Sequence, residues 1–116
     1  MIYILQSDRF QKILSKIKDK NYKTTIEALI EQLEIYGKEL KEPKCKHLQD
    51  GIWELKCYNK NQESRILFFY AYNDYAIIVD IIKKQKNKYL KEIEYVKNYM
   101  KDFYIKYDSK EKLIDL

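Results

Sequence analysis

The spacing of hydrophobic residues changes twice along this chain, and each change marks a different kind of element. Ile2 to Leu5 is a short apolar run that reads as a strand. Ser7 or Asp8 then caps a helix, with Gln11 three residues beyond Asp8, and Phe10, Ile13, Leu14 and Ile17 recur at helical spacing. This helix is expected to end near Asn21. Thr24-Thr25-Ile26-Glu27 has the form of a capping box and opens a second helix. Its Ile26, Leu29, Ile30, Leu33, Gly37 and Leu40 fall on one stripe, Gly37 leaves room for a close neighbour, and Glu42-Pro43 stops it. The two helices predict a hairpin whose apolar seam faces a sheet.

In the middle third the period becomes two. Trp53, Leu55 and Cys57 are apolar, whereas Glu54, Lys56 and Tyr58 carry charge or a hydroxyl, the alternation of an antiparallel strand. After the polar loop Asn59 to Glu63, Arg65 to Tyr72 forms a second strand, apolar on both faces beyond its arginine. Asn73-Asp74 turns the chain, and Tyr75 to Ile82 is a third strand rich in isoleucine and valine. Asn87 to Lys106 returns to helical spacing, with Tyr89, Ile93, Val96, Met100 and Phe103 on one face. The expected order is β-α-α-β-β-β-α. That makes an α+β fold with a helical hairpin and a C-terminal helix around a small, mainly antiparallel sheet. The polar tail from Tyr107 to Leu116 is expected to be loose.

Composition narrows the picture. With 116 residues, two glycines and one proline, no linker divides the chain, and one domain spanning 1–116 is expected. No run approaches the roughly 20 apolar residues of a membrane helix, and the start lacks the marks of a secretory signal, so a soluble, cytoplasmic protein is predicted. Cys45 and Cys57 are too few and too far apart for a zinc site or a disulfide framework and read as reduced structural residues. His47, the only histidine, reads as a surface residue beside a turn. No metal and no cofactor is expected. The net charge of +5 permits a polyanionic partner without requiring one. Lys83, Lys84, Lys86, Lys88 and Lys91 crowd the entrance of the last helix without an acid among them, where they oppose its dipole and so cost local stability.

Antiparallel pairing would bring these charges together. The end of the first meander strand meets the start of the second near Arg65, and the end of the third returns towards it. Strand parity lets Lys56 and either Lys83 or Lys84 share a face with Arg65. Converging cations of this kind would hold a phosphate, the arginine through its fork and the lysines as point charges. Tyr58 or Tyr89 would then be placed to stack on an unpaired base. The plainer alternative is a solvated face on which Lys56 and Arg65 pair with Glu54 and Glu63.

Leu48-Gln49-Asp50-Gly51-Ile52-Trp53-Glu54-Leu55-Lys56, then Arg65-Ile66-Leu67-Phe68-Phe69, then Ile81-Ile82-Lys83-Lys84, resemble the RelE/ParE toxin superfamily in its HigB-like, phage-derived branch. The resemblance covers roughly residues 2 to 104. It implies the toxin of a type II toxin–antitoxin system, an endoribonuclease that cuts messenger RNA in the ribosomal A site. There a 2′-hydroxyl would attack the adjacent phosphate without a metal. Carried over, Arg65, Lys56 and Lys84 are the catalytic candidates, while Lys83, Lys86, Tyr89 and Glu54 contact RNA. The implied partners are a cognate helix-turn-helix antitoxin, which alone reaches operator DNA, and ribosome-bound message.

The chain departs from the branch in places. Lys56 stands where arginine is usual, Ile82 replaces an aromatic residue, Gln85 replaces threonine, and no proline opens the last helix. The general base is left open among Glu54, a lysine and a tyrosine. Two other readings compete: a ParE-like inhibitor of DNA gyrase, and a relative that binds RNA or a partner without cutting.

Overall fold

A computed structural model describes residues 1–60, 62–83 and 89–114. The chain runs β1 (Tyr3–Gln6), α1 (Asp8–Ser15), α2 (Lys20–Tyr36), a 3-10 turn (Gly37–Glu39), β2 (Cys45–Gln49), β3 (Ile52–Asn59), β4 (Gln62–Ala71), β5 (Tyr75–Lys83), α3 (Leu90–Lys106) and α4 (Glu111–Ile114). The five strands form one sheet in the order β1-β5-β4-β3-β2, antiparallel except for the parallel β1–β5 pair. The α+β class and the hairpin-plus-helix arrangement are those read from the sequence.

Two elements were not foreseen. Strand β2 pairs with β3 through a two-residue hairpin at Asp50-Gly51, both at positive φ (49° and 82°). Asp-Gly is a strong hairpin signal in itself. The mostly polar Cys45–Gln49 hid the strand because β2 is an edge with only Cys45 buried. Within the described residues the tail packs back on the domain: Leu113 of α4 is buried in the cluster of Phe103 and Tyr107, and Lys110 pairs with Asp74.

Helix boundaries shift for local reasons. Ser7 caps α1, its Oγ accepting from Phe10 N (3.1 Å) and donating to Val79 O (2.7 Å), which fastens the helix start to the sheet. Helix α1 ends at Ser15, earlier than expected. Helix α2 starts at Lys20, not Thr24, because Asp19 Oδ1 accepts from Asn21 N (2.9 Å) and Tyr22 N (3.2 Å). It also stops earlier, at Gly37 rather than at the proline. Gly37 has φ +54°, and a Cβ there would meet Ile2 Cγ2 at 3.0 Å.

Side-chain parity divides the core in two. Leu55, Cys57, Ile66, Phe68, Ile78 and Ile81 face α1 and α2. Leu67, Phe69, Ile77 and Val79 face α3 through Val96 and Phe103. The chain is therefore three layers, with helices on both sides of the central strands. Among the described residues, no helix is long and apolar enough to cross a membrane.

Candidate functional site

The β3–β4 register pairs Lys56 with Arg65, Glu54 with Leu67 and Tyr58 with Glu63. Directly opposed residues of an antiparallel pair share a face, so Lys56 and Arg65 stand side by side, with Glu54 and Glu63 two residues away along their own strands. This is the face that α3 covers. The charged pair on it is buried: Arg65 is 2% exposed and Glu54 3%.

A buried arginine must be paired, and this one is. Its Nη1 lies 2.9 Å from Glu63 Oε1 and donates to the Ser64 carbonyl at 3.3 Å. Its Nε lies 3.2 Å from Glu54 Oε2, close enough for an ion pair although the N–H is not aimed at that oxygen. Tyr89, the residue before α3, donates its hydroxyl to the same Glu54 oxygen at 2.6 Å. Burial, and then this bond to a carboxylate, push the Tyr89 phenol well above its ordinary value, so it holds its proton at neutral pH. Tyr58 stays exposed at the strand end, its phenol also raised by Glu63.

The sequence reading of a solvated, salt-linked face is thus half changed. The ion pairs of Arg65 exist, and the one with Glu54 is dry, whereas Glu63 keeps part of its side chain in solvent. Alternation along β3 gave Glu54 a polar face, and α3 then covered that face, which period alone does not reveal.

Of the predicted site residues, Glu54, Lys56, Arg65 and Tyr89 come together. Lys56 is half-buried, and among the described residues it makes no ion pair. Lys83 does not join them. It pairs with Ser64, whereas Arg65 pairs with Ile82, so Lys83 has the parity of the opposite face, where Ser64 Oγ accepts from Tyr22 Oη at 2.8 Å. Lys84 and Lys86 lie outside the described residues. Among the described residues, no three His, Cys, Asp or Glu side chains gather as metal ligands would. Both cysteines are free and buried, and burial pushes Cys45 up to about 11. His47 is exposed on β2, edge-on to Trp53.

A second charged group escaped the sequence reading. Asp80, on the face that α3 covers, is 1% exposed and pairs through Oδ1 with Arg9 Nε (3.3 Å) while accepting from Ile81 N (2.9 Å). Burial raises its carboxyl above the ordinary 3.8 despite Arg9, and Glu92 of α3 adds to the rise. The signal was there: one aspartate inside an unbroken apolar strand needs a partner.

No curated protein matches this chain. The family described as phage-derived protein Gp49-like matches residues 12–101, a span holding Glu54, Lys56, Arg65, Lys83 and Tyr89. Among solved structures, the YoeB dimer from Staphylococcus aureus superposes with a TM-score of 0.55 at 16% identity, over 72% of this chain and 97% of the other. A conserved hypothetical protein of Helicobacter pylori aligns with a TM-score of 0.40 at 17% identity, over 72% and 94%. At such identity the likeness to YoeB is one of fold, and it agrees with the sheet and helices described above. Family match and fold together place the chain: it belongs to the phage-derived Gp49-like family and has a fold similar to that of YoeB.

Proposed function

We propose that this protein is the toxin of a type II toxin–antitoxin pair and cuts messenger RNA in the ribosomal A site without a metal. One observation carries the reading: Lys56 and Arg65 are cross-strand neighbours, with the Glu54 carboxylate at Arg65 and the Tyr89 hydroxyl on that carboxylate. Cleavage by an internal 2′-hydroxyl needs a proton acceptor, cations to offset charge on the phosphorane, and a proton for the departing 5′-oxygen. Glu54 is the acceptor best placed among the candidates. Lys56 and Arg65 supply positive charge. Tyr89 keeps its proton and orients Glu54. Lys84 completes the set as a proton donor or phosphate contact, and Lys83 and Lys86 take flanking phosphates. The antitoxin is a helix-turn-helix protein that alone contacts operator DNA, and the toxin works in the cytoplasm.

A second reading has its own support. Arg65 is already neutralised by two carboxylates and covered by α3, which favours a protein that binds RNA or a partner without cutting.

Mapping message ends in a translating ribosome reaction separates these readings. The nuclease produces new ends at A-site codons. Arg65→Lys keeps the buried charge but loses the fork, and its cleavage rate falls by roughly 100- to 1000-fold, as for a lost transition-state donor. Folded Arg65→Lys protein that cuts at the wild-type rate refutes the site. Intact message with induced DNA breaks points to gyrase; intact message without breaks points to the binding module.

A further inference from the structure

Arg9 is the exposed one of the two arginines in this chain. Its side chain is 45% exposed, and among the described residues its ion pair is made through Nε to Asp80. Its guanidinium lies over the Tyr95 ring, 4.2 Å from the centroid. A buried carboxylate and an aromatic face thus hold the group in one orientation. The cation is aimed in advance, and little freedom is lost when a ligand binds.

Lys12 and Lys16 follow Arg9 at three and seven residues, on one side of α1. Arg9, Lys12, Ile13, Lys16 and Tyr95 line a cleft of about 440 Å³ between α1 and α3; no carboxylate lines it, although Arg9 and Tyr95 also border a larger cleft that carries Asp8, Glu27, Glu31, Glu34 and Asp102. The three charges span roughly 10 Å along the helix axis, from a rise of about 1.5 Å per residue. Helix α3 connects this cleft with the site described above. Tyr89 sits on Glu54, Glu92 acts on Asp80, and Tyr95 carries Arg9, so the first turns of α3 lead from one to the other over roughly 9 Å.

We propose that Arg9, Lys12, Lys16 and Tyr95 form a second RNA-binding subsite. It would hold the backbone of a single strand whose neighbouring nucleotides reach Arg65. The Arg9 fork takes one phosphate and the two lysines take the next. The outer face of the guanidinium, already stacked on Tyr95, offers a plane for an unpaired base. An acidic peptide would satisfy the charges but would leave this stacking plane unused, so RNA is the better fit. The subsite deepens the nuclease reading by extending its substrate contact beyond the reacting phosphate.

The test is fluorescence anisotropy of a labelled oligouridine RNA with the intact protein, across a potassium chloride series. Each phosphate contact on a single strand contributes about 0.7 to the slope of log affinity against log salt. The double variant Lys12→Gln/Lys16→Gln changes only exposed side chains. Its slope falls by about 0.7, because the two lysines share one phosphate, and binding at low salt weakens on the order of tenfold. Tyr95→Leu weakens binding while keeping most of the slope. A double variant that is folded by circular dichroism and keeps the wild-type slope overturns the inference. So does one that keeps its RNA binding but loses polyglutamate. Message cleavage by the wild-type protein is scored separately: normal cutting with an unchanged variant slope sinks the subsite and leaves the nuclease, whereas the predicted slope change with no wild-type cutting keeps the subsite and sinks the nuclease.

Discussion

Two arginines on this fold have nearly opposite surroundings, although each is anchored by a buried acid. Arg65 lies inside the sheet–α3 layer, with its Nη1 on Glu63 and Ser64 and its Nε beside Glu54. Arg9 lies at the layer's margin, where β1 ends and α1 begins, held through Nε and stacked on a tyrosine. The first has its charge consumed by the protein and therefore supports structure unless a substrate displaces a carboxylate. The second has its charge oriented by the protein and left available. Exposure thus separates a cation that holds the fold from one that presents itself to a ligand, and residue type does not.

The largest effect expected to sharpen this contrast is on folding. Arg65→Ala strands Glu54 in a dry layer, and breaking a buried pair in this way costs about 3–5 kcal/mol. Urea denaturation should show that loss and should show much of it recovered in Arg65→Ala/Glu54→Gln. If Arg65→Ala unfolds at the wild-type midpoint, the ion pair is not the anchor described here. A loss of toxicity in Arg65→Ala is therefore ambiguous, which is why the charge-retaining Arg65→Lys is the better test of function.

Arg9→Ala should cost less, about 1–3 kcal/mol, because Asp80 keeps its bond from Ile81 N and the lost partner was half in solvent. The same denaturation series measures it. A cost equal to that of Arg65→Ala would erase the distinction between the two sites.

The smallest effect is a pH dependence at Asp80. Its carboxyl titrates above 3.8 in the folded chain, so the native state takes up this proton before the unfolded one does. Its contribution to stability is full below the unfolded value and is lost as pH rises through the folded value. The stability of wild type relative to Asp80→Asn should accordingly grow as pH falls from neutral into the ordinary carboxylate range. Thermal melts of the pair across that range would read it, and a difference that shrinks on acidification contradicts the burial argument.

Much of the fold was legible before any coordinates. Phe10, Ile26, Leu29, Ile30 and Leu33 are buried as helical spacing required, and so are the odd positions Leu55 and Cys57 of β3. The misses have identifiable causes. Thr24-Thr25-Ile26-Glu27 looks like a helix start, but Asp19 caps earlier and lets Tyr22 reach Ser64 across the sheet. Strand β2 is polar because it is an edge. At the site, Lys56 beside Arg65 followed from strand direction and parity, whereas Lys83 fell on the other face once the register was known.

The chain by itself determined where most helices and strands occur, which faces are apolar, and which motifs resemble those of RelE-like proteins, because periods and caps act over a few neighbouring residues. Only the tertiary structure decided that Glu54 and Arg65 are buried with Tyr89 bonded to that carboxylate, and that Asp80 and Tyr95 together hold the exposed Arg9. Those outcomes depend on contacts between residues far apart in sequence: Glu54 and Tyr89 are 35 residues apart, and Arg9 and Asp80 are 71 apart. The availability of a charge is set by what packs over it, and local patterning carries no record of that.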